Sequence, residues 1–353
     1  MNSIITGTGS YIPDSIKKNS DFLKNTFYSE KKDLLSDSNT TIIEKFKSIT
    51  GIEERRYLES DLLNSEIATI AAQIAINKAQ IDPETIDQII FAHNFGDVGV
   101  ANKQSDMLPS LASKVKHMLR IENPDCVAYD VIFGCPGWIQ GLIQANQFIQ
   151  TGAAQKCLVI GSETLSRVVD PHDRDSMIYA DGAGACIIEK GNDQSKGILS
   201  YANQTFTYDE ANYIYFGESN NSEVSDDSRY LKMHGRKIYE FALNKVPVAM
   251  KGALDAAGLP IEKIKKILIH QANEKMDEAI IKRFYRLYKT KMPEDIMPMS
   301  INKLGNSSVA TVPTLLDLIL NHKLDDHEIK AGDAIMLASV GAGMNINAIV
   351  YQY

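Results

Sequence analysis

The sequence predicts a layered α/β protein built from two similar halves, with helices on both faces of buried sheets. Three observations support this fold class: the first half matches the second in order and spacing, several short strands are almost entirely apolar, and the helical segments carry a regular apolar stripe. At 353 residues the chain is long enough for one large unit or two fused domains.

The match between the halves indicates an internal duplication. Segment 79–91 aligns without a gap to 257–269, 178 residues later, and 156–162 aligns to 333–339, 177 residues later. Each match is short, but their shared order and nearly equal offsets make coincidence less plausible. Between them, each half has a glycine turn that opens an apolar helical pattern. We therefore predict two halves, at 1–195 and 196–353, that share one body with the site at their interface.

The strands are predicted where short runs are nearly all apolar. Segments 88–92, 157–160 and 267–269 have this character, which is typical of strands whose sheet is covered on both faces. Segment 181–185 matches no phosphate-binding motif and is interpreted as a tight turn that feeds a strand at 185–189.

The helix that precedes the first matched strand is predicted over 64–78. Its apolar residues recur at helical spacing, and Asn64 and Ser65 are possible caps. The counterpart in the second half is predicted over 239–257, where Pro247 interrupts the pattern as a boundary or a kink.

Composition excludes several classes of function. Hydrophobic residues make up 44% and charged residues 23%, which is an ordinary globular mixture. The net charge of −8 argues against a general nucleic-acid binder. No apolar run reaches about 18 residues, and the N-terminus lacks the pattern of a secretory signal. We therefore expect a cytoplasmic protein that binds neither membrane nor nucleic acid. No H-E-x-x-H or other close histidine pair is present, so we expect no metal, and we expect no cofactor.

Three distant segments each place one chemically useful side chain after an apolar run. Cys135 precedes Pro136 and a helical pattern, so it is predicted to lie at a helix N-terminus, where the thiolate is favoured. His270 ends an apolar strand, and Asn306 lies in a glycine turn before another helix. A thiol nucleophile with two hydrogen-bond donors can form a covalent acyl-transfer site.

Each of these residues also has a plain structural interpretation. Cys135 is otherwise a buried cysteine in a tight turn, His270 a satisfied strand-end histidine, and Asn306 a helix cap. The turn formed by Gly341, Ala342 and Gly343 is either an ordinary turn or a contributor of backbone amides to an oxyanion hole.

Taken in order, these segments resemble the thiolase-fold condensing enzymes, and most closely the 3-oxoacyl-ACP synthase III family. The likeness runs nearly end to end, and its signatures are 7–13, 50–56, 179–185, the HQAN run at 270–273 and the GNSS run at 305–308. The resemblance implies a thiolase-like fold whose two halves pack in the layer order α-β-α-β-α.

The resemblance also implies a mechanism. Cys135 would accept the acyl group, and His270 and Asn306 would bind the thioester oxygen of a malonyl-ACP extender while carbon dioxide leaves. The resulting carbanion would attack the acyl-cysteine. Amides of Cys135 and of the turn at Gly341, Ala342 and Gly343 would form the acyl oxyanion hole.

At the entrance, the resemblance implies roles for three further residues. Asn273 and Arg174 match positions that contact the pantetheine or nucleotide part of the primer, and Leu108 matches a region that closes the primer pocket across a homodimer. CoA-primed members have Trp and Arg where this chain has Lys45 and Ile49, which cannot stack on adenine in the same way. We therefore expect weakened CoA specificity, with acyl-ACP as a serious alternative to acyl-CoA.

The expected partners are acyl carrier protein, an acyl-CoA or acyl-ACP primer, and a second copy of the chain. Lys275, Lys282 and Arg283 follow the HQAN run and would form a basic docking face for the acidic carrier, although interspersed acids leave a solvated helix surface equally open. Two alternatives also remain: transfer to another ACP-bound acceptor or joining of two acyl chains, and a non-catalytic partner of a related synthase.

Overall fold

The protein is described by a computed structural model over residues 3–59, 61–102, 104–193, 195–224, 227–324 and 327–353. The strands are β1 (Ser3–Tyr11), β2 (Ser15–Lys18), β3 (Glu54–Tyr57), β4 (Gln88–Ala92), β5 (Asp97–Val98), β6 (Ser105–Asp106), β7 (Val127–Val131), β8 (Lys156–Thr164), β9 (Asp181–Lys190), β10 (Gly197–Thr205), β11 (Ile214–Gly217), β12 (Tyr230–Met233), β13 (Ile264–Ile269), β14 (Ala334–Gly341) and β15 (Asn345–Gln352). The helices are α1 (Asn39–Thr50), α2 (Asn64–Ala79), α3 (Leu111–Met118), α4 (Gly137–Thr151), α5 (Gly235–Ala257), α6 (Glu274–Leu287), α7 (Ile301–Leu304) and α8 (Thr311–Leu320).

The two main sheets repeat one pattern. The first has the order β1-β9-β8-β4-β7, in which β9 is antiparallel to β1 and β8, whereas β4 is parallel to β8 and β7. The second has the order β10-β15-β14-β13, with β15 antiparallel to β10 and β14, and β13 parallel to β14. The matched segments occupy equivalent strands, so the predicted duplication is confirmed. The division at residues 195 and 196 lies between β9 and β10 and stays a prediction.

The order of the layers follows from where the apolar faces of the helices pack. Apolar residues of α4 and α8 pack between the two sheets, against residues such as Val159 of the first and Leu337 of the second. Helices α2 and α3 cover the outer face of the first sheet, and α5 and α6 cover that of the second. The predicted fold class and its layer order α-β-α-β-α are therefore confirmed. In the described part of the chain, no helix is both long and apolar enough to cross a membrane.

The helix predicted over 239–257 extends from Gly235 to Ala257 and continues through Pro247. A proline inside a helix leaves the carbonyl four residues earlier without its usual donor, which here is that of Leu243. Arg283 of α6 donates to this oxygen over 3.1 Å and to Asn244 Oδ1 over 2.9 Å. Pro247 is therefore neither a boundary nor a break, because the neighbouring helix supplies the missing hydrogen bond.

Two local predictions are wrong. The segment 181–185 is not a turn, because β9 begins at Asp181 and pairs along its length with β8. Asn64 and Ser65 do not cap α2. They lie inside the helix, with Leu63 as the cap residue, and their side chains bond to Ser162 and Asp97 instead. In both cases partners from other elements, which local sequence does not reveal, decided the outcome.

A buried carboxylate, that of Asp317 on α8, connects the middle layer to β1 and α2 of the first half. Asp317 accepts hydrogen bonds from Thr8 Oγ1 (2.8 Å) and Ser10 Oγ (2.6 Å), both on β1, and from Lys78 Nζ of α2 (2.9 Å). Burial raises the pKa of the Asp317 carboxyl, but the donors Ser10, Lys78 and Thr8 outweigh it and hold the pKa below its usual value.

Replacement Asp317→Asn should lower the free energy of unfolding by about 1.5–3 kcal/mol at pH 7, the usual contribution of hydrogen bonds to a charged group. The pKa of Asp317 is lower in the folded state than in the unfolded chain. The carboxylate therefore stabilises the protein fully when the pH is above the unfolded-state pKa, and this stabilisation is lost as the pH falls through the folded-state pKa. The difference in free energy of unfolding between the two proteins, measured in urea, should therefore begin to shrink below about pH 4 and vanish only below the lowered pKa of folded Asp317. The exposed Asp193→Asn serves as the control, and an unchanged Asp317→Asn protein at pH 7 would contradict this account.

Candidate active site

The cysteine turn connects a parallel strand to a buried helix. Strand β7 ends at Val131, and α4 begins at Gly137 directly after Pro136, so Cys135 lies at the N-terminal end of the helix as predicted. Gly134 has φ +67°, a left-handed conformation that favours glycine. The Gly134 N–H donates to Asn94 Oδ1 over 3.0 Å, which ties this turn to the residue after β4.

The turn at the end of β14 packs directly against the cysteine turn. A Cβ on Gly134 would lie 2.6 Å from Ala342 N, and a Cβ on Gly341 would collide with Cys135 N. Only glycines allow the two backbones to approach so closely. The N–H groups of Cys135 and of this turn are therefore brought into the same region, with one half of the molecule supplying each side.

The predicted triad meets in one small cavity of about 100 Å³. Cys135, His270 and Asn306 all line it, although they come from three distant segments. Ala342 also lines this cavity, whereas Gly341 and Gly343 are not among its lining residues. The remaining walls are mainly apolar, and they include Phe95, Leu165, Tyr179, Ile214, Leu231, Met233 and Val340.

The thiol of Cys135 is not a resting thiolate. Burial raises the pKa of Cys135 to about 11, although a hydrogen bond from Ser308 Oγ to Sγ over 3.2 Å acts in the opposite direction. The negative charge of Glu163 raises this pKa further when that group is ionised. Desolvation therefore acts against the thiolate that the helix N-terminus is expected to favour, and that expectation stays a prediction. The residue keeps part of its surface accessible to the cavity.

His270 is held as a neutral imidazole. Its backbone N–H donates to Ala338 O over 2.8 Å, which continues the pairing of β13 with β14. Burial lowers the pKa of His270 to about 4, and within the described residues its Nδ1 has no hydrogen-bond partner. A neutral imidazole carries one donor and one acceptor nitrogen, so it can donate to a substrate oxygen without carrying a charge.

Asn306 is anchored on both its backbone and its side chain. Its N–H donates to Ile178 O (2.9 Å), its carbonyl accepts from Ala180 N (2.8 Å), and Oδ1 accepts from Ser308 N (2.8 Å). Asn306 is therefore not a helix cap, because the short helix that follows has Ser307 as its cap residue. The bond from Ser308 N leaves the Asn306 Nδ2 as a donor, and Asn306 lines the same cavity as Cys135 and His270.

A larger cavity of about 480 Å³ adjoins the inner one. The two share five lining residues, namely Ile178, Met233, Ile238, Ala272 and Met276. Arg174 and Asn273, both predicted to contact the primer, line this outer cavity. Asn273 also caps α6, since its Oδ1 accepts from Met276 N over 3.0 Å. The inner and outer cavities together form a path suited to an acyl group on an extended arm.

Comparison with known proteins identifies the family. The family model described as 3-oxoacyl-[acyl-carrier-protein (ACP)] synthase III matches residues 129–205, and the model of its C-terminal part matches 254–353. The beta-ketoacyl-[acyl-carrier-protein] synthase III 1 of Vibrio vulnificus strain YJ016 is 32% identical over 358 residues, covering 100% of both chains. The chain belongs to the 3-oxoacyl-ACP synthase III family.

Two further relatives agree with this assignment. The beta-ketoacyl-[acyl-carrier-protein] synthase III of Caldanaerobacter subterraneus subsp. tengcongensis is 33% identical, covering 99% of this chain and 97% of the relative. The crystal structure of 3-oxoacyl-[acyl-carrier-protein] synthase III from Aquifex aeolicus VF5 superposes with a TM-score of 0.81 at 28% identity, covering 99% and 100% of the two chains. The chain is thus a condensing enzyme of the acyltransferase class with the thiolase fold.

Several residues around the thiol of this synthase were missed by sequence reasoning. Asn94 and Glu163 lie beside Cys135 and Ser308, and Asn345 Nδ2 donates both to Phe133 O (3.2 Å) and to Ala342 O (2.8 Å). Asn94 had a usable signal, because it follows the C-terminal end of a parallel strand, where ligand sites gather in α/β sheets. Glu163 had the same signal, because it is the last residue but one of β8, which is parallel to β4.

The entrance carries the predicted departures from CoA-primed members and one residue that was overlooked. Lys45 and Ile49 line the outer cavity; Lys45 Nζ pairs with Asp37 over 2.7 Å, and Ile49 is 53% exposed. Neither presents a ring. Tyr239 of α5 also lines this cavity and is 38% exposed, so the cavity does contain an aromatic side chain.

Four other residues predicted to bind partners lie at the surface. Leu108 is 87% exposed and lines neither cavity. Lys275, Lys282 and Arg283 are exposed on α6, but Lys282 pairs with Glu278 over 2.5 Å. Arg283 is committed to α5 through Leu243 and Asn244, so it has a structural role whether or not a partner binds.

Removing the hydroxyl that contacts Cys135 should make the thiol less reactive. In Ser308→Ala the thiolate loses a donor, so the pKa of Cys135 should rise and its alkylation by iodoacetamide at pH 8 should slow about two- to tenfold, the equivalent of one hydrogen bond. The neighbouring Ser307→Ala is the matched control, because its hydroxyl contacts Thr311 and not the sulfur. Equal rates for wild type and Ser308→Ala would show that this hydrogen bond does not influence the thiol.

Proposed function

We propose that this synthase takes an acyl group from a primer thioester onto Cys135 and condenses it with malonyl-ACP. The observation that carries the proposal is the meeting of Cys135, His270 and Asn306 in one cavity of about 100 Å³. A catalytically silent partner subunit would have no need to keep these three groups together and accessible.

In the first step the Cys135 sulfur attacks the primer carbonyl and gives up its proton. The carrier thiol leaves with a proton, and the acyl group remains on the sulfur as a thioester. The negative charge that develops on the carbonyl oxygen requires nearby N–H donors, and the backbone amides of Cys135 and Ala342 are the candidates. Their closeness to each other supports this role. Gly341 and Gly343 would contribute by allowing the turn to approach the thiol.

In the second step His270 and Asn306 would hold the thioester oxygen of the malonyl group. The bond to the carboxylate breaks, carbon dioxide leaves, and the electron pair passes into an enolate whose oxygen accepts both hydrogen bonds. The enolate carbon then attacks the acyl-cysteine, and the Cys135 sulfur departs. A neutral His270 suits this step, since no strong base is needed to form the nucleophile and the low pKa of the imidazole keeps it uncharged.

We propose that acyl carrier protein delivers the extender and that the primer arrives on ACP more readily than on CoA. The apolar outer cavity fits an extended pantetheine arm beside Arg174 and Asn273, while Lys45 and Ile49 offer no ring for adenine. Tyr239 provides the strongest argument for CoA. Lys275, and Lys282 if it leaves Glu278, would attract an acidic carrier; Arg283 would contribute charge without leaving α5.

We further propose a homodimer assembled along β7 and a cytoplasmic location. Strand β7 is the edge of the first sheet, and Val127 and Ile132 beside it are 51% and 62% exposed. An exposed apolar edge favours pairing with a second copy, and the exposed Leu108 would then face that copy. The four cysteines are all free thiols, which is typical of a reducing compartment.

Cys135→Ala should abolish covalent acylation, because no other residue of the cavity would replace the nucleophile. Intact-protein mass spectrometry after incubation with matched acyl-ACP and acyl-CoA should show the acyl mass on wild type, appearing faster from acyl-ACP, and no added mass on Cys135→Ala. Cys126→Ala, which removes a buried thiol away from the cavity, should label like wild type. Labelling that persists in Cys135→Ala would reject the nucleophile, and faster labelling from acyl-CoA would reject the carrier preference alone.

His270→Ala should separate the two steps. Release of carbon dioxide from malonyl-ACP should slow by about 10²–10³-fold, the usual effect of losing one donor to a developing oxyanion, while acyl transfer to Cys135 changes only a few-fold. His117→Ala, on the exposed face of α3, controls for the loss of a histidine. An equal loss of both steps would contradict the division of labour between thiol and imidazole.

A further inference from the structure

A buried acid lies next to the nucleophile and is not used in the two steps above. Glu163, on β8, is 1% exposed, and no ion pair to it is present in the described ranges. Burying a carboxyl without a counter-charge is unfavourable, so this residue does not obviously stabilise the fold. The hydrogen bonds to its carboxyl come from Asn94, which also contacts the cysteine turn.

Asn94 connects Glu163 to the surroundings of the reacting sulfur by two hydrogen-bonded paths. Its Nδ2 donates to Glu163 Oε1 over 2.5 Å, and its backbone N–H also donates to that carboxyl. On one side, Asn94 Oδ1 accepts from Gly134 N over 3.0 Å, immediately before the nucleophile. On the other, Asn94 Nδ2 lies 3.4 Å from Ser308 Oγ, which donates to Cys135 Sγ over 3.2 Å.

The side chain of Asn94 has two possible orientations, and the Gly134 N–H and Glu163 together select one of them. With the Nδ2 turned toward the acid, Oδ1 must face the Gly134 N–H, and the remaining N–H faces the Ser308 hydroxyl. The opposite orientation would place the amide oxygen against the Glu163 oxygen and the amide nitrogen against the Gly134 N–H. Both the backbone before Cys135 and the hydroxyl that contacts its sulfur would then lose their partner.

We propose that Glu163 is a positioning residue for acyl transfer, which orients Asn94 and through it fixes the Cys135 turn and the Ser308 hydroxyl. The inference rests on the proposed function, because the step that it supports is attack by the Cys135 sulfur. Glu163 itself does not contact the substrate in this account.

The protonation state of Glu163 distinguishes this role from a plain structural one. Burial raises the pKa of Glu163 to about 8, so the group is largely neutral at pH 7. The titratable groups that face it are Cys135 and Asp181, and Asp181 raises its pKa further. When Glu163 ionises above pH 8, its charge opposes formation of the Cys135 thiolate. Glu163→Gln keeps an oxygen that accepts from Asn94 but cannot ionise.

The first test measures alkylation of Cys135 by iodoacetamide from pH 6.5 to 9.5 in wild type and Glu163→Gln. Below pH 8 both side chains are neutral, so the two rates should agree within about twofold. Above pH 8 only the wild type gains a charge, so the ratio of the Glu163→Gln rate to the wild-type rate should rise at least about threefold. A ratio that stays constant across this range would overturn the proposed coupling between Glu163 and the thiol.

The second test asks whether Glu163 acts through Asn94. Glu163→Ala and Asn94→Ala should each slow acyl transfer at pH 7 by about tenfold or more, the effect expected when a reacting group is misplaced. The double variant should be no slower than Asn94→Ala, because the acid has no influence once its intermediary is gone. Multiplication of the two single effects would overturn the relay. If Glu163→Ala fails to fold, Glu163→Leu, which has a similar volume and offers Asn94 no acceptor, takes its place in the same comparison.

One control variant and the choice of assay separate the positioning role of Glu163 from the other proposals. Asp317→Asn removes another buried carboxyl that touches no residue of the cavity, so it should lower stability without changing the alkylation profile. Alkylation requires no substrate, so it reports on Glu163 even if the proposed acyl chemistry is wrong. Conversely, normal Cys135-dependent acylation together with an unchanged pH ratio in Glu163→Gln would reject only the positioning role.

Discussion

The site depends on one backbone contact, in which the turn carrying Cys135 lies against the turn that ends β14. Gly134 and Gly341 have no side chains, and a Cβ on either would collide with the facing backbone. This contact joins an element of each half, so the N–H groups of one turn lie beside the thiol of the other. Asn345 reinforces it by bonding to Phe133 O and Ala342 O. The two sheets and the α4–α8 layer between them hold the turns at this distance.

Burial, rather than the charge of neighbouring groups, determines the protonation states of the side chains in the cavity. Burial raises the pKa of Cys135 to about 11 and lowers that of His270 to about 4, so both are neutral near pH 7. Burial also raises the pKa of Glu163, which favours its neutral form. A site without resting charges can admit an apolar acyl group without displacing strongly held water. Charge then develops only during reaction, next to N–H and O–H donors that the fold has already oriented.

Much of the fold could be predicted because its signals are local or repeated. The strand at Gln88–Ala92 was predicted with its observed bounds, and the matched segments occupy equivalent strands of the two sheets. Prediction was wrong at residues whose partners are distant in sequence. Asp181 begins a strand because β8 pairs with it, and Asn64 and Ser65 lie inside α2, where Ser162 and Asp97 are their partners. At Pro247, predicted as a boundary or a kink, the helix does not end, and Arg283 bonds to Leu243 O. Local propensity does not contain such partners.

Sequence alone determined the two-half α/β architecture, since a duplicated apolar pattern can be buried in few ways, and it singled out Cys135, His270 and Asn306 by the apolar runs before them. Tertiary structure alone decided that these groups share a cavity, because Cys135 lies in the first half and His270 and Asn306 in the second, so they meet only when the two halves pack together. It also decided the protonation of the thiol. A helix N-terminus is visible in sequence, but desolvation depends on every atom that surrounds the sulfur, and it raises the pKa of Cys135.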